Sequence, residues 1–142
     1  MNFKTLFYLI FMTFGTTSVA AEKNLPPCPT SPNCVSSQAS DKAHFIAPFK
    51  IVGAFDVASL ALKNALLRQS RTVITQEMEN SLHAEATSLI FRFVDDVDII
   101  LDSKARLFHI RSASRVGYGD FGVNRKRLEN LRSQLQAAGV IE

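Results

Sequence analysis

An α+β fold, one small domain with an antiparallel sheet of about four or five strands and two helices on one face, follows from three features of the sequence. The middle of the chain carries five short runs rich in β-branched and aromatic residues, separated by turn formers. Helical apolar spacing appears before and after those runs but not among them. At 142 residues, 46% hydrophobic and 20% charged, the chain has the composition of a single globular unit without repeats. That length excludes a complete kinase or a TIM barrel. Two cysteines exclude a disulfide-dense miniprotein or a zinc module built on thiolates.

Residues 1–21 read as a cleavable export signal: a lysine, an apolar run over residues 6–14, and small residues ending at Ala20 and Ala21. A spanning helix needs about 20 apolar residues, roughly twice that run, and nothing later approaches one. The mature protein is therefore expected to be soluble and exported, periplasmic or secreted, with no transmembrane span after cleavage. Residues 22–43 form a Pro-rich arm in which Cys28 and Cys34 are expected to bridge, because export places them where disulfides persist. In the chain-entropy model such a short loop contributes about 2.4 kcal/mol. Residues 44–142 then make the single α+β domain.

Within it, residues 44–51 read as an edge strand interrupted by Pro48. Asp56 is the expected N-cap of a helix over residues 57–68, with Phe55 and Leu60 as a hydrophobic staple. Residues 71–76, 82–87, 89–94, 97–102 and 107–113 are strand-like. A final helix over residues 121–138 has Phe121, Leu128, Leu131, Leu135 and Ala138 at helical spacing, and Gly139 is its stop.

Strand parity sharpens this. If residues 103–106 are a hairpin turn, Leu101 meets Phe108 and Ile99 meets Ile110 on the core face, while Asp98 lies opposite Arg111 on the other. A slip of one residue scrambles both faces, so the agreement supports the register. The core parity continues back through Asp95, and a bulge or tight turn is expected at Asp95-Asp96.

Four motifs in order, C-P-T-S-P-N-C-V-S-S from Cys28, H-A-E from His83, F-R-F-V-D-D-V-D from Phe91 and R-S-A-S-R-V-G-Y-G-D-F-G-V-N-R-K-R from Arg111, span nearly the whole mature chain. On these the sequence resembles domain-of-unknown-function family 1499, small exported bacterial proteins with plant relatives. The resemblance implies one small exported or lumenal domain and supplies no catalytic residues. Gly119 departs from the pattern, which has serine there.

That glycine completes a literal G-x-G-x-x-G over residues 117–122. Dinucleotide binding is not expected from it, because no parallel strand and no ribose-binding acid follow, and Asp120 repels phosphate. A softer reading of the region is an anion site, in which Arg111, Arg115 and Arg125 supply guanidinium forks and Ser112, Ser114, Tyr118 and Asn124 supply hydrogen bonds; neutralisation of nearby acids is the favoured account of these charges. Arg115 has no acidic partner at helical or cross-strand spacing, and Asn124 is a polar residue on an apolar helical stripe. Against this stands charge neutralisation, since residues 77–102 carry seven acids and one arginine while residues 104–142 carry eight bases and three acids.

A second constellation places His83, Glu85, His109 and Arg111 on one polar sheet face, where two histidines and a carboxylate suit a divalent metal or acid–base chemistry. Asp95, Asp96 and Asp98 lack a calcium loop, and no nucleophile elbow supports a serine triad. The sequence thus points first to a non-catalytic binding or envelope-associated module with an arginine-rich anion-binding loop and no cofactor. The alternatives are a small metal-dependent or acid/base hydrolase on the His/Glu face, and a purely structural partner of an envelope protein. The expected partner is an anionic small molecule or an envelope protein. With a formal charge of only +3, nucleic acid is not expected.

Overall fold

The computed structural model describes residues 24–142; the apolar leader read above as an export signal lies outside the described residues. Four strands, β3 (Thr72–Glu77), β4 (Ser81–Thr87), β5 (Val94–Asp102) and β6 (Leu107–Ser114), run as an antiparallel meander. Two short strands, β1 (Cys34–Ser36) and β2 (Phe49–Lys50), share the outer edge of β6, one pairing with Arg111–Ala113 and the other with Leu107–Phe108. Among the described residues the sheet therefore has six strands. Helices α1 (Phe55–Arg68) and α2 (Val123–Ala137) pack on one face. The domain is α+β, as the patterning predicts.

The core forms where strand parity and helical spacing meet. Ala84, Val97, Ile99, Phe108 and Ile110 project from the sheet onto Leu62, Leu66, Leu128, Leu131 and Leu135, all buried. The β5–β6 hairpin has the expected register: Leu101 opposite Phe108, Ile99 opposite Ile110, Asp98 opposite Arg111. Its turn is fixed by Asp102, whose Oδ1 accepts from the N–H groups of Lys104 and Ala105. At the far end of α2, Gly139 takes φ +70° while Val140 N–H reaches the Leu135 carbonyl and Gly139 N–H that of Gln136, a Schellman stop.

Several expectations are corrected. Residues 89–94 are not a strand: β4 leads into a loop closed by bonds between Ser88 and Phe93, and only Val94 joins β5. Their β-prone composition finds no partner strand and is left exposed. No bulge interrupts β5 at Asp95-Asp96, because both residues pair in step with β4 and β6. The irregularity lies in β3 between Ile74 and Gln76. Helix α1 starts at Phe55 with Ala54 as N-cap and no side-chain cap, and Leu60 is exposed, so the staple does not form. The edge strand after residue 44 shrinks to β2 and the isolated bridges at Phe45 and Ile51. No helix among the described residues is long and apolar enough to cross a membrane.

The bridge between Cys28 and Cys34 forms, with a Cα–Cα separation of 5.7 Å. It ties the arm to the first residue of β1. His44 braces the same loop, with Nε2 3.0 Å from the Ser31 carbonyl and Nδ1 2.8 Å from Asp41 Oδ1. Both ring nitrogens thus face acceptors. The Ser31 carbonyl first, and the Asp41 carboxylate second, hold His44 above the ordinary histidine value.

Candidate functional site

The sheet face away from the helices carries a charged ladder. Even-numbered β5 positions and odd-numbered β4 and β6 positions point there, which places His83, Glu85, Asp96, Asp98, His109 and Arg111 on one surface. His83 sits between two carboxylates, its Nδ1 2.7 Å from Asp98 Oδ1 and its Nε2 3.3 Å from Asp96 Oδ1. Asp98 also accepts from Arg111 Nη1 at 2.9 Å. Arg115 closes the other end, donating to Asp96 at 2.7 Å and to Glu85. Asp96 first and Glu85 second raise the Arg115 guanidinium further above its already high ordinary value. Arg115 therefore has acidic partners, contrary to expectation. One residue past the β6–β5 pair at Ser114–Asp95, it folds back over Asp96, a diagonal contact that simple cross-strand pairing does not anticipate.

Ligand atoms of His83, Glu85 and Asp96 lie within 4.8 Å of one another. His109 is elsewhere: it pairs with Ile100 across β5–β6, with Nδ1 3.4 Å from Ser37 Oγ and Nε2 4.0 Å from Asp102. Asp96 thus stands where the sequence reading had His109. The signal was present in the alternation of Asp96, Val97 and Asp98, and the expected bulge obscured it.

The residues of the proposed anion loop fall into three places. Arg111 and Arg115 belong to the charged face. Ser112, Ser114 and Asn124 lie on the helix side, where Asn124 is fully buried. There Asn124 Oδ1 accepts from Ser112 Oγ at 2.6 Å and from Arg127 Nη1 at 2.8 Å, and its amide donates to the Asn33 carbonyl, Ser114 Oγ and Asp120. Arg127 continues to Asp95 at 2.7 Å, which explains how a carboxylate sits at a core-facing position of β5. Tyr118 is exposed, and Arg125 donates to the Ala43 carbonyl. At the glycine motif, Asp120 accepts from the N–H groups of Gly122 and Asn124 at the start of α2. Partial burial pushes Asp120 up, but those N–H donors and the Asn124 amide together hold it below the usual carboxylate value. Its carboxylate occupies the position a phosphate needs.

Beside the charged ladder lies a cleft. The arm at Asn24, Leu25 and Pro26 faces the β3–β4 hairpin and β5 across a cavity of about 770 Å³, with His83 and Asp98 among its polar lining and Ile100 among its apolar lining. Leu25 is buried, and its N–H donates to Gln38 Oε1 at 2.7 Å, which holds the arm down.

Fold and site together define a small α+β domain whose second sheet face is charged, half-buried and bordered by a disulfide-anchored arm. Residues 24–135 match the family model described as protein of unknown function (DUF1499), and the chain belongs to that family. No curated protein matches the chain in sequence.

Proposed function

We propose that this protein is an exported, envelope-associated binding module without catalytic activity, which holds a small and mainly apolar ligand between its arm and its sheet. The cleft carries the reading: about 770 Å³ falls within the size range of small-molecule sites, and Leu25, Pro26, Met78, Leu82, Ile99 and Ile100 give it an apolar stretch beside polar residues that include His83 and Asp98. The ligand's polar group would meet His83 and Asp98. An anion held by the arginine-rich loop is less well supported, since Arg111 and Arg115 already meet carboxylates and Arg125 spends a donor on backbone. Titration with the apolar dye Nile red tests the cleft. Ser81→Trp, which fills the cavity from β4, should weaken dye binding by about tenfold with an unchanged melting curve. Equal binding by both proteins would overturn the reading.

A second reading, a metal-dependent enzyme, rests on the convergence of His83, Glu85 and Asp96. Asp98 on Nδ1 leaves Nε2 to face the cluster, the arrangement in which a carboxylate orients a metal-binding imidazole. Arg115 now supplies the positive charge that a metal ion would bring.

A further inference from the structure

The two loops that leave one end of the sheet are apolar at their tips. Residues 88–93 join β4 to β5, and residues 115–122 join β6 to α2. They depart from adjacent strands: Arg115 N–H donates to the Val94 carbonyl, and Ser114 pairs with Asp95. Ile90 is 79% exposed, Phe91 73% and Phe121 106%, with Leu89, Phe93 and Tyr118 also exposed. Single exposed apolar side chains are ordinary, but six on two adjacent loops are a patch. The backbone works to present them. Phe121 is held at φ +52° and Arg92 at φ +58°, a region that side-chain-bearing residues seldom adopt. Phe91 and Phe93 stack on each other at 5.5 Å and do not fold back onto the core.

Charge around this edge has one sign left over. Glu85, Asp95 and Asp96 are bonded to Arg115 and Arg127, and Asp120 is spent on the start of α2. Arg92 and Lys126 have no acidic partner among the described residues, and Arg71, bonded to the Thr87 carbonyl, meets no carboxylate. The apolar groups are well-exposed side chains on two loops, and the unpaired cations lie in or next to the same segments. A fluid, negatively charged interface moulds around such tips, taking aromatic and aliphatic groups below its headgroups and cations beside them.

We propose that this edge docks the protein on an anionic lipid bilayer, with residues 88–93 and 115–122 entering the headgroup layer. The proposal is independent of the cleft. Flotation with phosphatidylglycerol/phosphatidylethanolamine vesicles, against pure phosphatidylcholine, tests it on protein recovered from the exporting cell. Wild type should float with the anionic vesicles. Ile90→Ser with Phe91→Ser should reduce the bound fraction about tenfold, as should Tyr118→Ser with Phe121→Ser, and Arg92→Glu should weaken only the anionic case. All of these positions are exposed, so matching melting curves are expected. Wild type left unbound by both vesicle types, or variants that float as well as wild type, would overturn the proposal. So would sedimentation showing that the patch joins two copies, with the serine variants monomeric.

Discussion

Replacing Asn124 with alanine should cost about 3 kcal/mol of folding stability, and the structure shows which bonds make up that figure. The side chain is fully buried, so water does not replace what is removed. Ser112 Oγ, also fully buried, loses its acceptor, and an orphaned buried donor costs about 1–3 kcal/mol. Arg127 loses one charge-assisted bond, worth about 1.5–3 kcal/mol, but keeps Ser112 Oγ and Asp95. The other partners lose little. The Asn33 carbonyl still accepts from Ser114 N–H, Asp120 still accepts from Asn124 N–H, and Ser114 is half-buried and reached by solvent. The assay is urea unfolding, read as a shift in midpoint at unchanged slope. Aspartate at the same position should be at least as damaging, because it gives up the amide donors and adds a charge beside Asp120. A loss below about 1 kcal/mol for the alanine variant would refute the reasoning, since it would mean that the network repacks without its central amide.

Because His44 is raised in the folded state, its stabilisation is complete below the unfolded histidine value of about 6.5 and is lost as pH climbs through the raised folded value. Asp41 is lowered by the His44 N–H and ring, so its contribution is present above the unfolded value of about 3.9 and lost as pH falls through the lowered folded value. Melting temperature should therefore decline on the alkaline side, and His44→Ala should flatten that decline; an unchanged profile in the variant would show that the brace does not contribute. For the metal reading, Arg115→Ala removes the competing cation, so calorimetric titration with zinc should show tighter binding than in wild type, and Asp96→Asn should abolish it. No heat of binding in either protein would dispose of a metal site on this face.

Much of this molecule is legible in its sequence where one residue's environment is set by local parity. The β5–β6 register needed only alternation and one ion pair, and Asn124 betrayed a buried polar network by its place on an apolar stripe. The bridge was read from two cysteines and an expected export route. Composition misled at residues 89–94, where β-branched and aromatic residues that favour strands instead form the exposed loop. Asp95 invited a bulge because core parity running from Phe91 to Leu101 implies an unusually long strand; β5 instead begins at Val94, and Arg127, 32 residues away, makes the core-side carboxylate tolerable. The charged face was half visible. His83, Glu85 and Arg111 were placed correctly, but the pairing of Arg115 with Asp96 and Glu85 depends on the path of a side chain that no spacing rule encodes.

The two-piece cover on β6 has a consequence for association. β1 is itself flanked by residues 44–46, through Ser36 N–H to the His44 carbonyl and Ile46 N–H to the Ser36 carbonyl. β2 is flanked by the C-terminal residues, through Val52 N–H to Val140 and Glu142 N–H to Lys50. Among the described strands this leaves β3 as the one with an open ladder, and a bulge breaks it. A fibre that grows by strand addition needs two open sides on every molecule, one to receive and one to offer. With a single side available, edge pairing ends at a closed two-fold pair and cannot propagate.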